Sequence, residues 1–411
     1  ELPANFANSA ITQLKTAIEF EFDKASIGYD NIFCSSTPRR LIVLIKGLVD
    51  FGQDKIVIRK GPQASVAYAN GVPGEAAIGF AKSLGIDLKN LEIKETDKGQ
   101  FVFARKVEKG LSTKSIISSF IPKVIKNLQG QRFMKWGYGD FKFSRPIRWI
   151  VSLYNQDILQ FSLSEIDTKV KISNISKGHR LVKENVEINI PENYREIMEK
   201  VGVIVDRETR KKSISELIDN EANRLNLSPF LGNKLLEELT DLVEFPRLIV
   251  CSFDRSYLEL PSEVLCTVMK NHQRYIPLFE KNTTISKLEI TSESILNTNF
   301  LCISNGLKES VNLIKEGNEK VLKARFSDAK FFVETDIKKT SEERNQRLKF
   351  ISYLKGLGNV FDKVKRIEYI SKEISSFINL DSSGLKKIAE ASRFSKHDLC
   401  SDIVFEFPEL Q

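Results

Sequence analysis

The chain has 411 residues, of which 41% are hydrophobic, so it is long enough for roughly two to three globular domains. No apolar run approaches the roughly 18 residues that a membrane-spanning helix needs, so we expect no membrane insertion. Five cysteines without a Cys-x-x-Cys pair argue against a disulfide framework or a zinc knuckle and predict a cytoplasmic protein. Because the chain starts at Glu1 and stops within a patterned stretch, we expect a fragment of a longer protein.

In chain order, the N-terminal part combines strands with short loops. Residues 37–49 are typical of a strand entered through a proline turn, and residues 101–107 alternate as a half-buried strand does. Between them, residues 70–86 favour a Gly/Pro loop that opens a short helix. These elements predict a basic mixed α/β domain over residues 1–170.

The remaining chain changes character twice. Residues 196–226 have helical periodicity and many charge pairs, and residues 242–253 return to strand character. From about residue 316 the periodicity is helical throughout. The sequence therefore predicts the α+β class, with a second mixed domain over 171–315 and an all-α domain over 316–411.

The clearest helix is predicted over residues 317–332, where Asn318 is a suitable N-cap. Apolar side chains then follow at spacings of four, three and four: Leu322, Phe326, Ala329 and Val333. That spacing places them on one face of a helix, so we expect this stripe to be core.

Positive charge is concentrated in one stretch of the chain. The whole chain has 62 basic and 54 acidic residues, a net charge of +8. Residues 101–150 alone reach +9, because only Glu108 and Asp140 oppose eleven basic residues: Arg105, Lys106, Lys109, Lys114, Lys123, Lys126, Arg132, Lys135, Lys142, Arg145 and Arg148. Such a block favours binding to a polyanion, and we expect it to form one shared surface.

The end of this block, "RFMKWGYGDFKFSRPIRWI" over 132–150, also holds six aromatic residues, including both tryptophans of the chain. Interleaved cations and flat rings are typical of surfaces that stack on unpaired bases and bind phosphates. The alternative is that the rings are core and the arginines keep their heads in water. The sequence leaves both interpretations of the aromatic residues open.

Catalytic motifs are not evident in the sequence. It contains neither a G-x-x-x-x-G-K-[ST] phosphate loop nor a G-x-S-x-G nucleophile elbow. His397 and Asp398 form a His-Asp pair of the kind found in metal-dependent phosphohydrolases, but the other two histidines lie outside the helical region. We therefore predict no catalytic residues and no metal site, and we expect the pair to lie on a charged helix face.

A dozen segments, in order along the chain, resemble the beta subunit family of bacterial tetrameric glycyl-tRNA synthetases. They include "ELPA" (1–4), "TPRRL" (37–41), "KGP" (60–62), "MKWG" (134–137), "FSRPIRWIVSL" (143–153), "GHR" (178–180), "LVEFP" (242–246), "HQRYI" (272–276), "GNEKVLKARFSDAKFF" (317–332), "LGNVFDKVKRI" (357–367) and "FEFPELQ" (405–411). Together they span the chain, which makes the resemblance specific.

The resemblance implies a division of labour. In that family a separate alpha subunit carries the catalytic site for glycine, ATP and Mg²⁺, while the beta subunit binds tRNA in an alpha2beta2 tetramer. It also implies that residues 316–411 are HD-like, and that this fragment lacks the family's C-terminal anticodon-binding domain. No cofactor is then expected on this chain.

The expected tRNA-binding residues come from the basic block and from two earlier segments. They are Arg132, Lys135, Trp136, Tyr138, Lys142, Arg145 and Arg148, with Arg39, Arg40 and Lys60 as further candidates. Two alternatives stay open at this point: an assembly scaffold whose 317–332 helix docks the alpha subunit, and a phosphohydrolase that uses His397 and Asp398.

Overall fold

The structure is a computed structural model that describes residues 1–69, 71–136, 140–163, 170–281, 294–378 and 380–411. The chain divides into two compact units, Glu1–Asp206 and Arg207–Gln411. Helices and small sheets occur in both, so the predicted α+β class is confirmed. The predicted division into domains at 170/171 and 315/316 stays a prediction.

The N-terminal unit contains long helices at its start and middle and many short strands. Its helices are α1 Ala4–Ala25, α2 Ala64–Ala67, α3 Glu75–Leu84, α4 Thr113–Asn127 and α5 Tyr194–Lys200. Its strands are β1 Asn31–Thr37, β2 Arg40–Lys46, β3 Lys55–Gln63, β4 Tyr68–Ala69, β5 Val72–Pro73, β6 Leu91–Thr96, β7 Gly99–Glu108, β8 Met134–Lys135, β9 Lys142–Phe143, β10 Ile150–Val151, β11 Leu153–Tyr154, β12 Asp157–Ile158, β13 Ile172–Ser173, β14 Ile175–Lys177 and β15 Asn185–Glu187.

The main core of this unit forms between α1, α4 and the antiparallel β1–β2 hairpin. Helix α1 buries side chains four residues apart, namely Phe6, Ala10, Leu14, Ile18 and Phe22. Spacing of this kind keeps them on one face, and each large side chain contributes about 1.5–3 kcal/mol when it is fully buried. Phe120 of α4 packs against Phe22 from the other side, with ring centroids 5.8 Å apart.

Residues 52–111 form an inserted lobe between β2 and α4. Its two ends meet where Phe51 and Ser112 form an antiparallel bridge, and the Gly52 amide donates to the Leu111 carbonyl at 3.0 Å. Inside the lobe, β7 is the central strand of an antiparallel sheet in the order β3-β7-β6. Helices α2 and α3 cover one face of this sheet around buried Val102.

The C-terminal unit contains a four-stranded antiparallel sheet in the order β16-β18-β19-β17, with helices before, between and after its strands. Its strands are β16 Leu227–Pro229, β17 Arg247–Ser252, β18 Ile276–Glu280, β19 Leu296–Ser304, β20 Ser352–Leu354 and β21 Gly358–Asn359. Its helices are α6 Arg207–Leu225, α7 Asn233–Leu242, α8 Ser262–Thr267, α9 Val311–Ile337, α10 Ser341–Arg347, α11 Val360–Phe377, α12 Ser382–Phe394 and α13 Asp402–Glu406.

Helix α9 supplies the apolar stripe that the sequence predicts. Leu322, Phe326 and Ala329 are fully buried in the unit's largest core cluster, and Val333 packs at its margin. The predicted cap is wrong, because helical structure already begins at Val311. Asn318 lies inside the helix, and its Nδ2 donates to the Cys302 Sγ at 3.1 Å.

Among the described residues from 316 onward, the regular structure is helical apart from the short β20–β21 ladder. Asn359 caps α11 through a reciprocal pair of hydrogen bonds with Asp362, and the Asp381 side chain caps α12. The HD-like character of this region stays a prediction. None of the described helices combines the length and apolarity needed to cross a lipid bilayer.

Candidate nucleic-acid interface

The N-terminal unit contains a cavity of about 860 Å³ whose wall joins segments that are far apart in sequence. Its described lining includes seven basic side chains, Arg39, Arg40, Lys46, Arg145, Arg148, Lys177 and Arg180, against two acidic ones, Glu1 and Glu192. The remaining wall is largely apolar and comes from α1, α4 and the β1–β2 hairpin. A concave site with excess positive charge over apolar walls suits an anionic ligand that also has flat apolar parts.

Trp149 lies in the wall of this cavity among three cations. The Arg39 and Arg40 guanidinium carbons and the Lys177 Nζ are 5.5, 5.6 and 5.4 Å from the centroid of its ring. Attraction between cations and the ring's π face stabilises such a cluster. The half-buried tryptophan therefore orients basic side chains at the cavity.

The two arginines of the "TPRRL" segment have internal hydrogen-bond partners. Arg39 Nη1 donates to the Gly178 carbonyl at 3.0 Å, and Arg40 Nη2 donates to the carbonyls of Lys177 and Gly178. Arg40 is only 5% exposed, so these carbonyls offset the cost of removing its charge from water. The pair thus joins the β1–β2 turn to the segment around residue 178, and its role toward tRNA stays a prediction.

Arg145 and Arg148 are exposed cations of the cavity wall. They flank the short Pro146 segment, and Arg145 Nη1 donates to the neighbouring Ser144 carbonyl at 2.9 Å. Among the described residues, neither guanidinium forms an ion pair. Each keeps a planar set of donors that fits phosphate oxygens.

Sequence reasoning missed Lys177 and Arg180 as site residues. Lys177 immediately precedes the "GHR" segment and Arg180 is its last residue, about thirty positions beyond the basic block, so charge counting along the chain does not reveal them. Arg180 Nη1 pairs with the Glu1 carboxylate at 2.9 Å at the cavity wall. The family motif itself was the only sequence feature that marked this segment.

Three further candidate cations lie on or just before the hairpin of β8 and β9, and none of them is in the described cavity lining. Arg132 and Lys142 are exposed, and Lys142 stands opposite Lys135 in the ladder. Lys135 Nζ contacts the Asp140 carboxylate at 2.5 Å, and this hydrogen bond lowers the pKa of Asp140. A phosphate that binds Lys135 must therefore compete with Asp140.

Some of the aromatic residues of 132–150 belong to the core, whereas Trp149 lines the cavity. Phe141 and Phe143 are buried, and Phe133 packs against the same core. The Trp136 Nε1 donates to the Phe143 carbonyl at 2.9 Å, so that half-buried ring is held within the hairpin. Tyr138 lies outside the described residues, so both stacking assignments stay predictions.

The basic block does not converge on the cavity as one surface. Arg105 lies on β7 and Lys109 just beyond it in the inserted lobe, while Lys114, Lys123 and Lys126 belong to α4. Lys114 also pairs with Asp157 at 2.7 Å. Of the eleven cations, Arg145 and Arg148 are those found in the cavity's described lining. Lys60 lies on β3 of the lobe, where its Nζ is 3.6 Å from the centroid of the Phe101 ring.

A family model for the glycyl-tRNA synthetase beta subunit matches residues 1–411. The chain belongs to this beta subunit family. Curated relatives agree over the whole chain: the glycine-tRNA ligase beta subunits of Trichodesmium erythraeum, Gloeothece citriformis and Natranaerobius thermophilus are 39%, 38% and 36% identical to it. The chain spans just over half of their length, 56%, 57% and 58% respectively.

The other chemistry that the sequence suggests for this beta subunit chain concerns His397. Its Nδ1 is 2.5 Å from the Phe394 carbonyl, and its ring lies edge-on against the Phe394 ring. Within the described ranges, no group of three or more His, Cys, Asp or Glu side chains is arranged to hold a metal ion. Burial raises the pKa of Cys34 to about 11 and of Cys266 to about 12, which keeps these thiols protonated at neutral pH.

Proposed function

We propose that this chain is the tRNA-binding part of a glycine-tRNA ligase beta subunit and that its N-terminal cavity binds tRNA(Gly). The single observation that carries the proposal is the meeting of Arg145 and Arg148 with Trp149 in one concave, positively charged wall. Membership of the beta subunit family supports tRNA as the polyanion. Arg145 and Arg148 bind phosphates, and Trp149 with its surrounding cations bounds the space for an unpaired nucleotide.

The proposed reaction of the complete enzyme joins glycine, ATP and tRNA to give glycyl-tRNA, AMP and pyrophosphate. A separate catalytic alpha subunit binds ATP and Mg²⁺ and carries out the chemistry in the cytoplasm, within an alpha2beta2 tetramer. The beta chain contributes binding energy that holds the tRNA at that subunit. This assignment agrees with a cavity wall that presents the exposed Arg145 and Arg148, because guanidinium groups bind phosphate well and transfer protons poorly.

The test is tRNA(Gly) binding by Arg145→Ala, Arg148→Ala and the double variant over a range of salt concentrations. Each true phosphate contact that is lost should reduce the slope of log affinity against log salt by roughly 0.7 to 0.9. Both side chains are exposed, so the folded structure should be preserved. Filter binding or fluorescence anisotropy measures the affinity, and circular dichroism checks the fold.

Lys109→Ala is the matched control, since Lys109 is an exposed member of the same basic block that is not among the cavity's described lining. We expect it to leave the slope unchanged. Equal slopes for wild type and the double variant would overturn the proposal. In that case, gel filtration of the chain with alpha subunit would test the scaffold alternative directly.

A further inference from the structure

The inserted lobe presents an open sheet face that the cavity does not use. Side chains alternate along β7, and Val102 and Ala104 are fully buried on the face that carries α2 and α3. Phe101 and Phe103 therefore point to the opposite face, where both are half-exposed. Two aromatic rings two residues apart on the central strand of a sheet form a row on which flat groups can stack.

The neighbouring strands add positive charge to this row. Lys60 of β3 stands directly opposite Phe103, and its Nζ lies over the Phe101 ring. Arg105 follows the two rings on the same face of β7 and is exposed. Neither Lys60 nor Arg105 forms an ion pair among the described residues. Their charges are therefore available to an external anion.

The third strand completes the face. Lys94 of β6 stands opposite Phe101, and Glu92 stands opposite Phe103. These two side chains pair with each other at 3.0 Å, so they neutralise one another. At the end of the face that holds Phe101 and Phe103, the positive charges without a described ion-pair partner are therefore those of Lys60 and Arg105.

We propose that this sheet face binds unpaired RNA nucleotides, with bases stacked on Phe101 and Phe103 and phosphates bound by Lys60 and Arg105. The inference rests on the proposed function for its ligand, tRNA, and adds a second contact surface to the cavity. Stacking needs bases that are free of a partner strand, which makes a single-stranded end or loop the matching substrate.

Charge complementarity favours RNA over a protein partner at this end of the sheet. A protein interface core is depleted in lysine, whereas here a lysine ammonium lies over the ring that would be its centre. Ile58 stands opposite Arg105, and Ile56 stands opposite Val107. These exposed apolar side chains lie toward the other end of the same face. The aromatic and cationic end therefore has the composition of a nucleic-acid surface.

The decisive variant is Phe101→Leu, Phe103→Leu in the Arg145→Ala, Arg148→Ala background, which removes the cavity's contribution. Leucine keeps the apolar bulk of the sheet but has no flat ring. We expect the affinity for an unstructured single-stranded oligoribonucleotide to fall at least about fivefold per ring, since each stacked base contributes about 5- to 150-fold. Phe101→Tyr, Phe103→Tyr should restore binding, because tyrosine also stacks.

Lys60→Ala tests the phosphate contact and should reduce the salt slope by roughly 0.7, the value for single strands. Lys82→Ala is its matched control, because Lys82 is exposed on α3, which covers the opposite face of the sheet. We expect that control to bind the oligoribonucleotide as the parent does.

Four outcomes decide the inference. Loss of oligoribonucleotide binding in the leucine variant, with recovery in the tyrosine variant, supports it. Normal single-strand binding by the leucine variant, while the cavity variants still weaken tRNA binding, overturns it and leaves the proposed function intact. Failure of both sets of variants to weaken tRNA binding overturns both. A leucine variant that binds RNA normally but no longer binds the alpha subunit identifies a protein interface and also overturns it.

Discussion

Two clusters of basic side chains in this molecule have opposite surroundings. In the C-terminal unit, Arg207 donates from Nε and Nη2 to both carboxylate oxygens of Asp241, at 2.7 and 2.8 Å, and from Nη2 to Glu237 at 2.5 Å. Lys211 contacts the same Glu237. At the cavity of the N-terminal unit, Arg145 and Arg148 are exposed and have no ion-pair partner among the described residues.

The two clusters differ in whether the donors of the basic side chains are already occupied. The hydrogen bonds that Arg207 donates to Asp241 raise the pKa of Arg207, and its carboxylate partners already occupy donors of the guanidinium. At the cavity, no described carboxylate pairs with Arg145 or Arg148, so the donors of these two side chains stay available. The number of basic residues in a segment is therefore a weaker guide to function than the position of the acidic ones.

The largest expected effect comes from Asp241→Ala, which breaks the C-terminal cluster. Asp241 is 3% exposed, and its removal leaves the nearly buried Arg207 without its main partner. We expect the free energy of unfolding to fall by about 3–5 kcal/mol, as measured by urea denaturation. Lys212→Ala is the control: its pair with Glu216 is exposed, so it should change stability by less than about 1 kcal/mol. Similar losses in both variants would remove the distinction between the clusters.

A smaller effect is expected from the pH dependence of the same cluster. Hydrogen bonds from Lys211 and then Arg207 lower the pKa of Glu237. Because its pKa is lowered by folding, Glu237 contributes stability at pH values above its unfolded-state pKa of about 4.3. This contribution is lost as the pH falls through the folded-state pKa. The difference in urea midpoint between wild type and Glu237→Gln should therefore be largest at neutral pH and shrink below about pH 4. A difference that grows with acidification contradicts this assignment.

The smallest effect sharpens the comparison at the N-terminal hairpin. Asp140→Asn removes the carboxylate that pairs with the exposed Lys135 and should leave the thermal midpoint unchanged. If Lys135 contacts a tRNA phosphate, losing this competitor should strengthen binding and steepen the salt slope by up to about 0.7 to 0.9. Salt titrations of tRNA binding measure both the affinity and this slope. Identical titrations for wild type and variant would remove Lys135 from the binding surface.

Local patterns predicted the elements well where the pattern itself is the cause. The stripe on α9 is core because 3.6 residues per turn bring Leu322, Phe326 and Ala329 to one face. The predicted N-cap at Asn318 was wrong for a related reason: a good capping residue does not fix the start of a helix when the residues before it can also be helical. Charge density likewise predicted a basic surface, but the strands and helices of 101–150 distribute its cations over the inserted lobe, α4, the β8–β9 hairpin and the cavity.

The sequence by itself determined the α+β class, the core stripe of α9 and membership of the family, because periodicity and ordered motifs are properties of neighbouring residues. Only the tertiary structure decided which cations share a site. Arg39 meets the Gly178 carbonyl across 139 positions, and Trp149 gathers three basic side chains from two separate segments. Contacts over such distances depend on how the elements pack together, and charge counted along the chain carries no information about that packing.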